Sequence, residues 1–188
     1  MSEALAGQKH FFIGFNFFVD RLAIMKLIAA VSTVRQQAAS VTLCLSSPGG
    51  STEQAFYAYE ILRALPIPVH TFNLGIVQSA ANILFMAGEQ RSAVPGANFL
   101  FHETRFSPPV GGNYTAAELE FTAASAKQDD ARIALILSAG LGKPLSEVQG
   151  WFSGQELRTV DFAKEHGIIQ WVKPLEMPEG SEFFQVLL

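Results

Sequence analysis

Apolar residues along this chain fall into two patterns, short unbroken runs and longer stretches with helical spacing. Between residues 18 and 37 they recur at intervals of three and four, which predicts an amphipathic helix. The run at 40–45 is apolar enough to predict a strand that is buried on at least one face. The complete pattern predicts strands at 10–15, 40–45, 67–74, 91–94, 98–102 and 168–172, and helices at 18–37, 52–64, 79–87, 115–139, 145–152 and 159–166.

The alternation of strands and helices decides the expected fold class. Helices of crossover length between successive strands favour parallel pairing and an α/β fold. The 188 residues suffice for one substantial core, so we predict a single domain over residues 1–188. Gly75 is expected to open a turn into the helix at 79–87, which is apolar nearly all round and therefore buried. The apolar tail at 182–188 is expected to pack against the body or a neighbouring subunit.

Composition narrows the classes of function. The chain is 49% hydrophobic and only 16% charged, which excludes a disordered chain. It has more apolar residues than is usual for a soluble monomer, and a subunit interface would bury the excess. A net charge of −4 without a cluster of Lys and Arg argues against a nucleic-acid partner. Asp20, Arg21 and Lys26 interrupt the apolar N-terminal region before it reaches the ~18 residues of a membrane span, so no membrane partner is expected. The single cysteine, Cys44, is expected to be an inert core residue and fits a cytoplasmic location.

Three features have catalytic potential, and each also has an ordinary structural explanation. The loop Ser47-Pro48-Gly49-Gly50-Ser51 could turn backbone N–H groups toward an anion or oxyanion, or it could be only a tight connection. Ser79 could be a nucleophile at a strand-to-helix turn or simply the N-cap of its helix. His102, at the end of an apolar strand, could be a general base or a structural histidine.

The order of these features along the chain resembles the Clp protease proteolytic subunit (ClpP) family. That family has an S-P-G-G loop, then a strand, then a G-x-A-A-S-M turn that carries the nucleophile, then a strand that ends in the catalytic His. Further matches are Ala87-Gly88, Pro95, Gly111-Gly112 ahead of the long helix, and A-K-E-H-G-I-I at 163–169, which is similar to the family's A-x-E-Y-G-L-V. The resemblance covers residues 10–172. It implies the ClpP/crotonase-like fold, an α/β fold of repeated β-β-α units with a protruding handle helix.

The same resemblance implies roles for individual residues. Ser79 would be the nucleophile, His102 the general base, and the backbone N–H groups of Gly49 and Ala80 the oxyanion hole. Residues 104–139 would form the handle, with the segment 108–113 near its start. The strand of the handle would pair with extended peptide, and its helix at 115–139 would join two rings. The implied activity is that of a serine endopeptidase for unfolded or short peptides, without a metal or other cofactor. Its implied assembly is a homo-oligomer, a heptameric ring or a stack of such rings.

The chain departs from the family at two places. The family's catalytic aspartate lies sixteen residues before the position of Gly167, where this chain has Trp151. Tryptophan cannot accept a hydrogen bond from His Nδ1, so the third member of the triad is unknown. Only about ten residues precede the first strand, whereas the family has a longer segment that engages its ATPase, so docking to an AAA+ ATPase stays open. The carboxylates nearby in sequence do not match the family motif: Glu103, Asp129, Asp130, Glu147 and Asp161.

Two other functions are compatible with these residues. A catalytically impaired paralogue that serves as a structural ring subunit would need no intact triad, and Trp151 favours that alternative. A crotonase-like enzyme for acyl thioesters would share the fold and the oxyanion hole, but it explains the joint presence of Ser79 and His102 poorly.

Overall fold

The computed structural model describes residues 9–107 and 111–187. These residues form two compact units. We call the described residues up to Leu100 and from Leu157 onward the sheet unit, and those within Phe101–Glu156 the helical unit. The assignment of residues 1–188 to a single domain stays a prediction. Residues 108–110 of the expected handle, and the end of the tail at 188, lie outside the described residues.

The strands and helices of the described part of the chain have the following bounds. They are β1 Lys9–Phe15, α1 Arg21–Val34, β2 Ala38–Ser47, α2 Thr52–Arg63, β3 Val69–Gln78, α3 Ala81–Phe85, β4 Gln90–Ala93, β5 Asn98–Leu100, α4 Ala116–Leu141, α5 Leu145–Ser153, β6 Leu157–Thr159, α6 Val160–Glu165, β7 Trp171–Val172 and β8 Glu182–Gln185. Strands and helices alternate from β1 to β4, and further on two strands or two helices also follow one another directly.

One eight-stranded sheet organises the sheet unit. Its hydrogen-bonded order is β6-β5-β3-β2-β1-β8, and β4 pairs with both β3 and β7. The central pairs are parallel, as the alternation of strands and helices predicts. The mixed α/β fold is thereby confirmed. The antiparallel pairing of β5 with β6 was not expected, because the pattern predicts no strand at Leu157–Thr159.

Strand β3 is longer than predicted, and the expected turn at Gly75 is wrong. The first half of β3 pairs with β4 over His70–Asn73, and its last residues, Ile76–Gln78, pair with β5. The strand therefore continues through Gly75 and ends at Gln78, the residue before Ser79. Opposite this change of partner, the register with β2 shifts between Leu45 and Ser47. Pairing with a second strand thus extends β3 beyond the point where its apolar run weakens.

Helix α1 begins later than its apolar pattern suggests. The Asp20 side chain accepts a hydrogen bond from the Ala23 N–H at 2.8 Å, so Asp20 is the N-cap and the helix starts at Arg21 and not at residue 18. Leu22, one of the apolar residues in the predicted helix, is 51% exposed. The buried face consists of Ala23, Ile24, Leu27, Val31 and Val34.

The helix predicted at 79–87 is observed as the shorter α3, Ala81–Phe85, and Cys44 is buried as predicted. Every residue of α3 is buried, in agreement with its apolar composition. Cys44 is buried with Phe12 and Phe72, and burial raises the pKa of its thiol to about 12. A thiol that stays protonated at neutral pH is a poor nucleophile, which agrees with a structural role.

Arg91 joins β4 to the segment before β7. Its guanidinium donates hydrogen bonds to the backbone carbonyls of Ile168 at 2.7 Å, Gly88 at 2.9 Å and Gly167 at 3.2 Å. Arg91 is only 8% exposed, and burial is the main cause that lowers its pKa. The strand predicted at 168–172 is reduced to Trp171–Val172. At its expected start the carbonyl of Ile168 accepts from Arg91, and the N–H of Ile169 donates to Ala163 O at 3.2 Å.

The chain end packs on the sheet. Strand β8 pairs in parallel with Phe11–Gly14 of β1, so this part of the tail contacts the body of the sheet unit.

None of the helices in the described part of the chain has the length and apolar character that a membrane span requires.

The helical unit consists of α4, α5 and the segments beside them. A capping box between Thr115 and Glu118 starts α4, and Gly142, in a left-handed conformation, ends it. The predicted helix at 115–139 agrees with these bounds. The buried residues of α4 lie in its second half, at Ile133, Ala134 and Leu137.

Candidate active site

The glycine-rich loop between β2 and α2 is held by hydrogen bonds to the chain before α1. Gly49 C=O accepts from Val19 N at 2.8 Å, and Ser51 N donates to Val19 O at 2.7 Å. The Ser47 hydroxyl donates to Phe17 O at 2.7 Å and accepts from Gly49 N at 3.2 Å. In this conformation the Gly49 N–H therefore has an acceptor inside its own loop.

Gly49 lies against the turn that carries Ser79. Its φ of 94° is in the left-handed region, where glycine avoids the steric cost of a Cβ. A Cβ on Gly49 would lie 2.6 Å from Gln78 O, 2.7 Å from Ser79 Cβ and 3.1 Å from Ala80 N. The sheet unit thus brings together three of the predicted site residues, Gly49, Ser79 and Ala80.

Ser79 lies between the end of β3 and the start of α3, and it is half-buried. Its φ of 53° is unusual for a residue with a side chain. The Ser79 N–H donates to Leu100 O at 2.9 Å, and its C=O accepts from Asn82 N at 3.0 Å. The buried Asn82 amide donates to both Ser79 O and Leu100 O. Because Ala80 is the N-cap of α3, the alternative of Ser79 as a helix cap is wrong.

His102 lies in the helical unit, two residues beyond the end of β5. The strand predicted at 98–102 ends at Leu100, so His102 is outside the sheet and half-buried. Its Nδ1 lies 2.6 Å from the backbone carbonyl oxygen of Glu103. A carbonyl oxygen can only accept, so this contact requires the proton on Nδ1 and leaves Nε2 of the neutral ring as an acceptor.

The residues after His102 are fixed to α4. Thr104 donates twice to Asp130 Oδ1, from its backbone N–H and from its hydroxyl, each at 2.7 Å. Asp130, Glu103 and Lys127 line a cavity of about 210 Å³ in the helical unit. The carboxylate of Asp130 therefore orients the peptide group between Glu103 and Thr104.

Trp151, at the expected position of the catalytic acid, is a packed residue of α5. It is 6% exposed, and its ring centroid lies 5.5 Å from that of Phe101, a distance typical of aromatic packing. The sheet unit contains Gly49, Ser79 and Ala80, and the helical unit contains His102 and Trp151. The pairing of Ser79 with His102 stays a prediction. No group of three or more His, Cys, Asp or Glu side chains suited to a metal ion occurs within 9–107 and 111–187.

Comparison with known proteins decides the family. The Clp protease family model matches residues 6–174, which is most of the chain. The chain belongs to the Clp protease family. A relative is the ATP-dependent Clp protease proteolytic subunit 2 of Corynebacterium diphtheriae, which is 25% identical over 188 residues, covering 95% of this chain and 87% of the relative.

Within this Clp protease family member, sequence reasoning missed the polar contacts of the helical unit. Every residue has a backbone carbonyl, so the sequence does not indicate that the carbonyl of Glu103 accepts a hydrogen bond from His102. Asp130 is visible as one of several nearby carboxylates, but its sequence position does not indicate that it meets Thr104. The contact between a loop and a helix 26 residues further on is a product of the tertiary fold.

Proposed function

We propose that this chain is a serine peptidase that cleaves unfolded or short peptides through an acyl-enzyme on Ser79, with His102 as general base. Membership of the Clp protease family supports a peptidase. The observation that carries the assignment of the nucleophile is the backbone of Ser79. A non-glycine residue at a φ of 53°, between a strand and a buried helix, costs conformational energy, and such strain is concentrated at functional sites.

In the proposed reaction, Ser79 Oγ attacks the carbonyl carbon of the scissile peptide and its proton passes to Nε2 of His102. The carbonyl π electrons move to the oxygen, which becomes an oxyanion. When this intermediate collapses, the C–N bond breaks and the leaving amine takes the proton from Nε2. Water then attacks the acyl-enzyme, gives one proton to Nε2, and releases the acid as Ser79 Oγ regains that proton.

The hydrogen bond from His102 Nδ1 to Glu103 O supports the role of general base, because it leaves Nε2 free of its proton. The acceptor of the Ser79 N–H supports the pairing as well. That acceptor, Leu100 O, is only two residues before His102 in the sequence. Two extended residues span ~7 Å at most, so the covalent chain keeps the backbone of His102 within about that distance of Leu100.

For the oxyanion we propose the backbone N–H groups of Gly49 and Ala80. The close approach of Gly49 to Ala80 supports this choice. The Gly49 N–H would have to exchange its 3.2 Å bond to Ser47 Oγ for the substrate oxygen. A hydrogen bond at that distance is at the long end of the normal range, so a charged oxyanion is the stronger partner.

Labelling with a fluorophosphonate probe tests the proposal. The probe should form one adduct, located by mass spectrometry at Ser79, that disappears in Ser79→Ala and decreases strongly in His102→Ala. His166→Ala is the matched control, because it removes a histidine elsewhere and should leave the labelling rate unchanged. A folded protein that is not labelled at any pH would refute the serine peptidase.

A second candidate is a structural ring subunit without efficient catalysis. The observation that favours it is Trp151, a packed aromatic residue at the position that the resemblance assigns to the catalytic acid. Both candidates share the proposed homo-oligomeric ring. Mass measurement under native conditions should find a single assembly of several subunits, and a monomer at micromolar concentration would contradict the ring. An assembled ring without Ser79 labelling would establish the structural subunit.

A further inference from the structure

The helical unit contains a continuous series of hydrogen bonds that ends on His102. Nδ1 of His102 donates to the carbonyl oxygen of Glu103 at 2.6 Å. The N–H of Thr104 donates to Oδ1 of Asp130 at 2.7 Å. The carbonyl of Glu103 and the N–H of Thr104 belong to the same peptide group. One peptide group therefore lies between the imidazole and a carboxylate.

A peptide group transmits polarisation because its carbonyl and N–H are coupled by resonance. When a carboxylate accepts the N–H, electron density moves toward the carbonyl oxygen, which becomes a better acceptor. Hydrogen bonds in series strengthen one another in this way, and bonds to a charged group are stronger than neutral ones. The negative charge of Asp130 therefore strengthens the bond from His102 Nδ1 to Glu103 O.

We propose that Asp130 is a positioning residue that performs, through the Glu103–Thr104 peptide, the task of the missing triad acid. It keeps the proton on Nδ1 of His102 and favours the imidazolium that forms when Ser79 loses its proton. This inference rests on the proposed roles of Ser79 and His102.

A second hydrogen bond from Thr104 to Asp130 keeps the two residues in a fixed orientation. The Thr104 hydroxyl donates to the same oxygen, Oδ1, that accepts the Thr104 N–H. Both bonds fix the orientation of the peptide plane, and with it the direction of the Glu103 carbonyl. The other charged groups that line the same cavity are the side chains of Glu103 and Lys127, which are both exposed. Solvent screens these exposed charges more than it screens the half-buried Asp130.

Nuclear magnetic resonance of the histidine rings tests the proposal without any need for turnover. The chain has four histidines, so a long-range ¹H–¹⁵N correlation spectrum is simple, and His102→Ala identifies the signals of His102. The proposal expects neutral His102 with its proton on Nδ1. In Asp130→Ala the peptide plane is released and the Nδ1–H form should lose its predominance. In Asp130→Asn the amide oxygen still accepts the Thr104 N–H, so the Nδ1–H form should persist.

Kinetics separate the charge of Asp130 from its geometry. We expect kcat/KM for a short fluorogenic peptide, or the rate of fluorophosphonate labelling, to fall about ten-fold in Asp130→Asn and further in Asp130→Ala, with KM unchanged. Thr104→Val removes only the hydroxyl bond and should cost less than either Asp130 variant. Asp129→Asn is the matched control, since it removes the adjacent carboxylate and should behave like the wild type.

The outcomes distinguish this inference from the proposed function. A His102 proton on Nε2 in the wild type, or an unchanged ring spectrum in Asp130→Ala, would overturn the positioning role of Asp130 even if Ser79 is labelled. Equal rate losses in Asp129→Asn and Asp130→Asn would also overturn it. If the wild type resists labelling but the Nδ1–H form of its His102 depends on Asp130, the positioning role of Asp130 is supported and the proposed peptidase activity is refuted. Unchanged signals of the other histidines show that each variant is folded.

Discussion

Replacing Gly49 by alanine tests the close approach between the glycine-rich loop and Ser79. The new Cβ would lie 2.6 Å from Gln78 O and 2.7 Å from Ser79 Cβ. Carbon atoms in good contact are ~3.5 Å apart, so Ser79 and the loop would have to separate by roughly 0.8 Å. The backbone of Gly49 itself is another source of strain, because its φ of 94° is unfavourable for alanine.

The expected loss of stability has two parts of similar size. The left-handed backbone costs an L-residue about 1–2 kcal/mol, and forcing a methyl group into a packed site costs about 1–3 kcal/mol. Gly49→Ala should therefore lower the free energy of unfolding by about 3 kcal/mol. A displacement of the nucleophile approaching 1 Å should lower kcat/KM, or the rate of fluorophosphonate labelling, by about 10²-fold.

Gly96→Ala is the matched control for this experiment. Gly96 has a comparable φ of 84°, but a Cβ there would meet nothing within 4 Å. It should show only the backbone part of the destabilisation, measured by urea unfolding, and should keep the labelling rate of the wild type. If Gly49→Ala and Gly96→Ala are equally stable, or if Gly49→Ala is labelled at the normal rate, the close approach of Gly49 to Ser79 is refuted.

Three further predictions follow from the sheet unit. Ser79→Gly should be more stable to urea than Ser79→Ala by about 1 kcal/mol, because glycine adopts the positive φ without strain, and equal stabilities would show that Ser79 is unstrained. Arg91→Met should lower the free energy of unfolding by about 3 kcal/mol, because it leaves three carbonyls without their donor, and a loss below about 1 kcal/mol would contradict their dependence on Arg91. Burial lowers the pKa of His70 from its ordinary value of 6.5, so the folded state disfavours the charged ring. Stability should therefore decrease as the pH falls below about 6.5, His70→Asn should weaken that decrease in unfolding experiments, and an unchanged pH dependence would refute the argument.

The sequence alone determined the order of most elements and the family resemblance. Apolar periodicity is a local property, and it indicated the main strands, the buried α3 and the long α4. The sequence also identified Ser79, His102 and the Gly49 loop as candidates, because the spacing of motifs along the chain is visible without a structure. The substitution at Trp151 was visible for the same reason.

Only the tertiary structure decided how these segments meet. Strand β3 continues past Gly75 because it gains β5 as a second partner, and pairing between distant segments depends on register, which local pattern does not encode. The left-handed backbone of Ser79 and its contact with Gly49 arise from that same junction. The acceptor of His102 is a backbone carbonyl, and its link to Asp130 depends on where α4 lies in the fold. Contacts of this kind join residues that are far apart in sequence, and only the packed chain brings them within hydrogen-bonding distance.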